Sequence, residues 1–588
     1  MSAGGETRRG RRIAIIVIVA VIAILGVAAG WLIFRGLQAK ADLDAAVTAS
    51  RQLSSAVAQG DLDAAALAAD DVARHTAAAE SATGDVVWSA AELVPWVGAN
   101  LTAVRVAATE AHAVAVDVAM PIVELARTIT ASTDGDALID LDALAAGATS
   151  LTKADATLSH AAQALASLDP AGLIEPVANG VEQLTDAVYT ARPAVSAALD
   201  ASRIVPGILG ADAPRTILVI VQNTAELRTG GGITGTFIEF RADRGALEIV
   251  AQADSSQFAR RKSSLLPVPT ATTELYGDVV GRYVQDMSLT PDFDLTARLA
   301  SAWWDDLTGR TVDTVVSIDP LVLQAVLKIT GPVEVADRTI DADNMIDALL
   351  VEPYMTLSQA EQTSMFEATA TKVFRMLTNG DVDAVSLART LAPPIEEGRV
   401  SAWSAHADEA EILSRSSFAG PAARQEAAGR DAYAVYLNDV TGGKMDSFLE
   451  VAISSGTASC RADGTPTVEV EVTLTSTAPK SARSFPMLMT GDGNFGVAPG
   501  HIGTTVSVSA PANTFFAGVR LDDSPVAAVD RTDGGFQVSA YTVDLAPGET
   551  KTIAFRFDVD ALTPLTPEIL HTPLLSEPTL GSLSPACP

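Results

Sequence analysis

The spacing of hydrophobic positions divides the chain into four stretches. Residues 13–34 form an uncharged apolar run, and residues 36–205 are rich in alanine with apolar positions at helical spacing. Residues 206–445 mix continuous apolar runs with helical patterns, whereas residues 446–588 alternate apolar and polar positions. This order predicts a multidomain protein: a single N-terminal transmembrane helix, an all-α bundle, an α/β (α+β) central domain and a C-terminal β-sandwich.

The apolar run at residues 13–34 is long enough to cross a membrane. Its 22 residues would extend ~33 Å as a helix, and a bilayer core is about 30 Å thick. Basic residues crowd its N-terminal side, at Arg8, Arg9, Arg11 and Arg12. The positive-inside rule therefore predicts a cytoplasmic basic tail at residues 1–12 and an extracytoplasmic location for the bulk of the chain. A cleaved signal peptide is the alternative, because small residues at Ala28–Gly30 permit cleavage.

Residues 36–205 are predicted to form a helical bundle or stalk. The pattern indicates helices at 37–58, 61–82, 99–132, 137–167 and 171–202. Asp61 and Asp169 suit N-caps, and Pro170 suits a first helical turn. Alanine-rich helices bury little area each, so we expect them to pack together, as a spacer or alternatively as a sensory four-helix ectodomain. None of them is expected to span the membrane.

Residues 206–445 alternate between strand and helix patterns. Strands are predicted at 216–221, 234–240, 246–252 and 312–318, and helices at 291–307, 320–329, 341–350, 357–378 and 381–392. Thr290 is the predicted N-cap of the first of these helices. The pair Asp319-Pro320 is a strong start signal for the helix that follows the fourth strand.

Residues 446–588 are predicted to fold as a β-sandwich that ends in a Pro-rich tail. Strands of period two are expected at 468–474, 503–508, 514–520, 536–545 and 551–558. The chain has two cysteines, Cys460 and Cys587, and an extracytoplasmic location favours a disulfide between them. The alternative is two unrelated free thiols.

The densest polar motif follows the first predicted strand of the central domain. Asn223, Glu226 and Arg228 stand there beside Gly230 and Gly231, a pattern typical of a polar site with close backbone approach. The planar guanidinium of Arg228 is suited to a phosphate or a carboxylate. The competing interpretation is structural: Glu226 and Arg228 pair with each other, and the glycines form a bulge.

An acid-rich stretch surrounds the predicted helix at 291–307. Its members are Asp286, Asp292, Asp294, Asp305 and Asp306. Because carboxylates are ligands for Mg²⁺, that ion is a candidate cofactor, and Asp286 and Asp292 join the candidate polar site. The competing interpretation assigns Asp292 to the helix dipole. No complete set of metal ligands and no Ser-His-Asp arrangement is visible in the sequence, so the catalytic residues, if any, stay unknown.

The net charge of −32 is unevenly distributed. Residues 1–35 carry five arginines and one glutamate, which leaves −36 on the rest of the chain. So acidic a body excludes nucleic acid as a partner. It also disfavours contact between this part of the chain and anionic lipid.

Several motifs of the central region resemble the bacterial "domain of unknown function 4012" family. They are Pro214–Leu218, Gln222–Arg228 with Gly230 and Gly231, Ser288–Phe293, Val316–Pro320, Thr330–Val333 and Gly443–Asp446. The resemblance covers about residues 205–560 and implies a membrane-anchored envelope protein without an established activity. The run 315–333 is also similar, at the level of fold, to the LytR–CpsA–Psr cell-wall ligases, which hold a polyprenyl pyrophosphate and Mg²⁺ with Arg and Asp side chains.

Two functions follow as hypotheses. The favoured one is a non-enzymatic envelope protein with a ligand-recognition or structural role, whose partners are the bilayer through residues 13–34 and a cell-wall glycopolymer or another envelope protein. The alternative is a Mg²⁺-dependent transferase acting on lipid-linked glycopolymers, with Arg228 on the phosphate and Glu226 plus Asp286 or Asp292 on the metal. The transferase hypothesis should be dropped if the folded chain buries these side chains as satisfied pairs.

Overall fold

The computed structural model describes residues 5–131, 140–378, 382, 384–460, 465–559 and 567–583. The chain forms two compact units, a helical first unit that ends at Val205 and a second unit that begins at Pro206. The predicted disulfide lies outside the described residues, because Cys587 and the side chain of Cys460 are not among them.

The first unit consists of seven described helices. They are α1 (Gly5–Gln59), α2 (Leu62–Thr83), α3 (Val86–Ala91), α4 (Gly98–Val114), α5 (Met120–Ala131), α6 (Leu141–Ala166) and α7 (Glu175–Ile208). A short π-helical turn at Ala115–Ala119 joins α4 to α5. The apolar run and the first helix predicted after it form one continuous helix, α1, since no helix breaker separates them.

Among the residues that the structure describes, two helical stretches are long and apolar enough to cross a membrane. The first, Arg11–Gln59, has an apolar window of which no part is buried. The second, Gly98–Ile129, corrects the expectation that no later segment qualifies. The reason is its alanine content, which raises the mean hydropathy, although a third of that window (33%) packs inside the protein.

The helix starts agree with the predicted caps at some positions and differ at others. Asp61 caps α2 by accepting a hydrogen bond from the Ala64 amide at 2.9 Å. Asp169 caps only a 3₁₀ turn at Pro170–Gly172, since an extended residue follows and α7 begins later, at Glu175.

The second unit opens with strands that form a mixed sheet and with helices that cover it. The elements are β1 (Arg215–Asn223), β2 (Ile233–Asp243), β3 (Ala246–Asp254), α8 (Thr270–Tyr276), α9 (Val279–Arg282), α10 (Phe293–Thr308), β4 (Thr314–Ile318), α11 (Pro320–Thr330), β5 (Val333–Val335), β6 (Arg338–Ile340), α12 (Glu352–Thr356), α13 (Gln359–Thr378), α14 (Ala384–Glu396), β7 (Val400–Ser404), α15 (Ala407–Ser414) and α16 (Pro421–Ala428).

The mixed sheet has the strand order β3-β2-β1-β4-β7. β1 and β4 are parallel neighbours, and the other pairs are antiparallel. The continuous apolar run of β1 is explained by its central position, because both faces of that strand are covered. Trp303 and Trp304 of α10 share a buried core with Leu218 and Ile220 of β1.

Two further sheets follow in the second unit. Their elements are β8 (Ala432–Asp439), β9 (Leu449–Cys460), β10 (Pro466–Ser476), α17 (Met487–Thr490), β11 (Ile502–Ala510), β12 (Thr514–Leu521), β13 (Ser524–Val526), β14 (Val529–Asp533), β15 (Phe536–Leu545), β16 (Thr550–Val559), β17 (Glu568–His571) and β18 (Thr579–Ser582). One sheet has the order β13-β12-β16-β10-β9-β18, and the other β14-β15-β11-β8-β17.

Both C-terminal sheets contribute to one apolar core. Val470 and Phe555 come from the first sheet, and Val435 and Val506 from the second. The predicted strands of period two all form within these sheets. β8 was not among the predicted strands and lies before the predicted boundary at residue 446, yet it pairs with β11 and is buried throughout.

Candidate functional site

The polar motif lies in the loop at residues 224–232, which connects β1 to the adjacent antiparallel strand β2. This loop is tied to the segment that follows β8. The carbonyl oxygen of Leu227 accepts a hydrogen bond from the Asp439 amide at 2.9 Å, and that of Ala225 accepts one from the Asp446 amide at 3.2 Å. In return, the Leu227 amide donates to Oδ2 of Asp446 at 2.7 Å. The loop therefore joins the mixed sheet to a C-terminal sheet.

Arg228 is buried, with 5% of its surface exposed. Its Nε and Nη2 donate to Oδ1 of Asp286 at 3.3 and 2.8 Å, and Nη2 also donates to Oε1 of Glu226 at 3.3 Å. Nη1 donates to the main-chain oxygens of Leu227 and Asp439 at 2.8 and 3.3 Å. Burial opposes its charge, but the carboxylates of Asp286, Glu226 and Asp439 outweigh it and raise the pKa of Arg228.

Glu226 links Arg228 to a second buried cation. Its Oε2 accepts a hydrogen bond from Nζ of Lys444, and this ammonium lies 5.3 Å from the ring centre of Tyr354. Burial disfavours the charged lysine, yet Glu226 outweighs it and raises the pKa of Lys444. The Tyr354 hydroxyl accepts a hydrogen bond from Nδ2 of Asn223 at 2.7 Å. Glu226 and Arg228 thus satisfy each other, whereas Asn223 is satisfied by Tyr354 and by the Ala225 amide.

The glycines of the motif allow a close approach by a side chain of the same strand pair. Gly231 has a φ of +128°, and a Cβ added there would lie 2.7 Å from Oε1 of Gln222. A Cβ at Gly230 would lie 3.0 Å from Nε2 of the same glutamine. The register of β1 against β2 shifts between Val221 and Gln222, so a bulge accompanies these glycines.

The structure separates the two predicted acidic members of the site. Asp286 contacts Arg228, as described above. Asp292 is instead the N-cap of α10, where its Oδ1 accepts a hydrogen bond from the Leu295 amide at 3.1 Å. Thr290 was therefore wrongly predicted as that cap: α10 begins at Phe293, and the Thr290 hydroxyl accepts its hydrogen bond from the Asp292 amide, at 3.2 Å, and not from an amide of the helix.

Two further members of the acid-rich stretch, Asp294 and Asp306, are used in surface pairs and not at the site. Asp294 accepts hydrogen bonds from Arg298 and from the indole of Trp403, both at 2.8 Å. Asp306 pairs with Arg261. These contacts give each of the two carboxylates a structural role.

Two buried aspartates at the site were missed as candidates. Asp439 ends β8, and its two carboxylate oxygens accept hydrogen bonds from the Thr441 and Gly442 amides at 2.9 and 2.7 Å. Burial and the nearby Glu226 raise the pKa of Asp439 to about 6. Burial and Asp439 likewise raise the pKa of Asp446, whose Oδ1 has no hydrogen-bond partner among the described residues.

We refer to these buried charges together as the ionic cluster. Its members are Glu226, Arg228, Asp286, Asp439, Lys444 and Asp446. The signals that could have identified the missed members are the acid directly after a buried strand at Asp439 and the short motif Gly443–Asp446.

A second buried ion pair lies beside the glycine turn. Arg399 donates from Nη1 to Oδ2 of Asp319 at 2.7 Å and from Nη2 to the main-chain oxygen of Leu574 at 2.9 Å. Asp319 also caps α11, as predicted, by accepting from the Leu321 and Val322 amides. This pair therefore fixes the C-terminal segment that contains Leu574 against the mixed sheet.

The predicted Mg²⁺ ligands do not fit a metal site. Both carboxylate oxygens of Glu226 bind cationic side chains, Oδ1 of Asp286 binds Arg228, and Asp292 caps a helix. Within the described ranges, no group of three or more His, Cys, Asp or Glu side chains is arranged to hold a metal ion. The arrangement can fix one loop in place, because the carboxylates of Glu226 and Asp286 both meet at Nη2 of Arg228, where a metal ion would have no room.

A basic cleft lies elsewhere on the second unit, at the loop before α8. Its volume is about 500 Å³, and its lining includes Lys262, Ser264 and Arg282 together with Asp278, which accepts a hydrogen bond from Nη1 of Arg282. The two segments that form it are tied by the hydrogen bond from the Arg261 amide to the carbonyl oxygen of Arg282 at 3.0 Å. Lys262 is therefore the lining cation that has no carboxylate partner among the described residues.

Residues 212–354 match the family model DUF4012, which is described as a protein of unknown function. The match includes β1, the 224–232 loop, Asp286 and the Asp319-Pro320 helix start. It confirms the predicted resemblance to this family over residues 212–354, whereas its predicted extent to about residue 560 stays a prediction and no match supports the likeness to the LytR–CpsA–Psr ligases. No curated protein matches the chain.

Proposed function

We propose that this chain, whose residues 212–354 belong to the DUF4012 family, is a membrane-anchored, extracytoplasmic envelope protein with a structural or ligand-recognition role. The apolar part of α1 is the anchor, and the rest of the first unit after it and the whole second unit lie outside the cell. In this proposal the C-terminal sheets are a β-sandwich, as the core that they share supports. The uncovered apolar window of α1 supports the anchor, because its side chains have no protein partner in the described chain.

The observation that carries a structural role is the complete pairing of Arg228. A guanidinium has five N–H donors, and five contacts to protein acceptors use them. An arginine that binds phosphate must offer donors to the ligand. Arg228 instead connects the loop after β1 to the end of β8, so its role is to hold two sheets together.

The transferase alternative loses its main support from the same geometry. It requires Arg228 to hold a phosphate beside a metal held by Glu226 and an aspartate. Arg228 and Glu226 are buried as a satisfied pair, and the half-buried Asp286 pairs with the same guanidinium, which meets the condition set above for dropping the hypothesis. A direct test is the binding of the full chain to polyprenyl-pyrophosphate glycans with and without Mg²⁺. We expect no binding, and Mg²⁺-dependent binding that is lost on Arg228→Lys would restore the transferase.

The orientation of the chain is tested on intact cells. A membrane-impermeant thiol reagent, applied after mild reduction, is expected to label Cys460 or Cys587 without permeabilisation. The variant with serine at both positions is the matched control and should stay unlabelled. Labelling only after permeabilisation would reverse the proposed orientation.

Recognition of an anionic polymer is a second candidate function, which the basic cleft favours. Lys262 has no carboxylate partner in the described part of the chain, and the Arg260 guanidinium lies 5.2 Å from the ring centre of Tyr283. Both cations are exposed. Such a site would suit the phosphates or carboxylates of a cell-wall glycopolymer.

Binding of inorganic polyphosphate to the full chain, measured by calorimetry at low salt, tests this candidate. We expect the double variant Arg260→Glu/Lys262→Glu to abolish binding and added salt to weaken it. The matched control is Lys328→Glu, an exposed lysine on α11, which should leave binding unchanged. Equal loss in the control would show that only the net charge matters.

A further inference from the structure

The first unit carries an apolar surface at one end of its bundle. One part of it is Val86, which begins α3. The other part is the turn before α4, which contributes Leu93, Val94, Trp96 and Val97. The exposed fractions are 85% for Val86, 86% for Leu93 and 94% for Trp96. We call this surface the apolar rim. Large apolar side chains so fully exposed in one short segment indicate an interaction surface.

The rim is a defined structure. Trp96 has a φ of +66°, and the Gly98 amide closes the turn by donating to the Val94 carbonyl oxygen at 2.8 Å. A Cβ at Gly98 would lie 1.9 Å from the Glu92 carbonyl oxygen. The backbone thus holds Trp96 outward at a conformational cost, because non-glycine residues rarely adopt positive φ.

The rim lies beside the end of the apolar run of α1. Nε1 of Trp31 donates to Oδ2 of Asp85 at 2.7 Å, and Asp85 is the N-cap of α3, the helix that Val86 begins. Nε of Arg35 also lies 3.4 Å from Oδ2 of Asp85. From Ile13 to Trp31 a helix rises ~27 Å, about the thickness of a bilayer core. Trp31 therefore lies at the depth where the anchor leaves the hydrocarbon.

A second apolar loop is attached to the rim. Oδ1 of Asn100 accepts a hydrogen bond from the Ile174 amide at 2.8 Å, and its Nδ2 donates to the Gly172 carbonyl oxygen at 3.2 Å. The same Nδ2 lies 3.3 Å from the Trp96 carbonyl oxygen. Ile174 is itself 59% exposed, so it widens the apolar surface at this end of the bundle.

The rim is nearly free of charge in a chain that contains 72 acidic residues. Glu92 is the one charged residue between Val86 and Gly98. It is neutralised by Arg105, whose Nε donates to its Oε1 at 2.6 Å. An uncharged surface with an exposed indole is suited to the interface between lipid headgroups and acyl chains, where tryptophan is enriched.

We propose that the apolar rim inserts into the outer lipid interface beside the point where α1 leaves the bilayer. This inference rests on the proposed anchor. The apolar rim gives the helical unit a second contact with the membrane, and this contact fixes the tilt of the unit. The occupant is the bilayer itself, because the rim is continuous, through Trp31 and Asp85, with the segment that crosses it. A protein partner or a second copy of the chain are the competing occupants.

Quenching of tryptophan fluorescence by brominated acyl chains tests the proposal. The full chain is reconstituted in phosphatidylcholine nanodiscs with and without bromine, and the quenched fraction is compared with that of Trp96→Phe. We expect a clear loss of quenching in the variant. Introducing Leu93→Trp into the Trp96→Phe chain should restore it, since both side chains belong to the rim.

The matched control introduces Leu67→Trp into the same Trp96→Phe chain. Leu67 is 70% exposed on α2 and lies ~21 Å along that helix from Ser81, the residue whose carbonyl oxygen binds Arg35. We expect no added quenching from it. If the chain floats with vesicles in alkaline carbonate but Trp96→Phe changes nothing, lipid insertion is overturned and the anchor stands. If the chain does not float, the anchor itself fails.

Discussion

The two units of the protein differ in the types of side chain that they bury. In the described part of the first unit, most buried apolar positions are alanine, Trp88 is the one buried aromatic ring, and Glu110 is the one buried charged side chain. The second unit buries large rings such as Trp303, Trp304 and Phe555. It also buries the ionic cluster and the pair of Arg399 with Asp319.

This difference follows from what each unit has to specify. Helices with small faces approach closely and gain stability from many modest contacts, so no buried charge is needed. The second unit must join strands from distant parts of the chain, and an apolar core alone specifies such pairings less uniquely. We infer that the buried charges select the pairing of the 224–232 loop with the end of β8, at a cost in desolvation.

The largest effect is expected from Arg228→Met. The substitution removes the cation that the buried Glu226 and Asp439 and the half-buried Asp286 share, and it leaves Lys444 as the partner of Glu226. Removing one partner of a buried ion pair costs about 3–5 kcal/mol, so the free energy of unfolding of the second unit should fall by that amount. Urea denaturation followed through the fluorescence of Trp303 and Trp304 measures it.

The matched control for that substitution is Arg298→Met. Arg298 pairs with Asp294 one helical turn away on the exposed face of α10, with 45% of its side chain exposed. An exposed pair contributes at most about 1 kcal/mol. If the free energy of unfolding falls equally in the two variants, buried and surface charges do not differ in their contribution to stability.

A smaller, pH-dependent effect is expected from Asp439→Asn. The raised pKa of Asp439, about 6 against an ordinary 3.8, means that the folded state binds more protons than the unfolded state between these values. The free energy of unfolding must therefore fall as the pH rises through this window, by about 3 kcal/mol at ~1.4 kcal/mol per pKa unit. Removing the carboxylate should flatten that slope.

Denaturation midpoints between pH 4 and pH 7 measure this slope. Asp446 acts in the same direction, so the variant should retain part of the pH dependence. The exposed Asp305 offers a control, since Asp305→Asn should keep the full slope. A slope that Asp439→Asn leaves unchanged would exclude Asp439 as its source.

These charges also mark the limit of what the sequence alone could predict. The central strands, the start of α11 at Asp319 and the pairing of Glu226 with Arg228 follow from local pattern, and the structure confirms them. Lys444 and Asp439 could not be assigned to Glu226 and Arg228, because more than 200 residues separate them and no local rule encodes that contact.

Local competition between similar residues explains the smaller errors. Thr290 and Asp292 both suit an N-cap, and the sequence does not decide between caps two residues apart. The second apolar stretch, Gly98–Ile129, differs from a true span by its partial burial, which depends on neighbouring helices. Hydropathy averages cannot report such packing.

The alanine core of the first unit is tested by Ala161→Leu. Ala161 lies on α6 and is completely buried, so a larger side chain must push neighbouring helices apart. Overpacking of this kind costs about 1–3 kcal/mol. Hydrogen exchange of the α6 amides should accelerate accordingly. Ala145→Leu, at an exposed position of the same helix, should leave exchange unchanged, and acceleration in both variants would contradict close packing as the cause.

The smallest effect is expected where helix α2 begins, from Asp61→Ala. The variant loses the hydrogen bond from the Ala64 amide, and loss of an N-cap costs about 1 kcal/mol. Asp63→Ala removes an exposed surface pair with Arg127 and should cost less than about 0.5 kcal/mol. Hydrogen exchange in the first turn of α2 distinguishes the two variants. The first unit gains its stability from many such modest contacts. If Asp61→Ala leaves hydrogen exchange in the first turn of α2 unchanged, helix packing alone holds α2 in place.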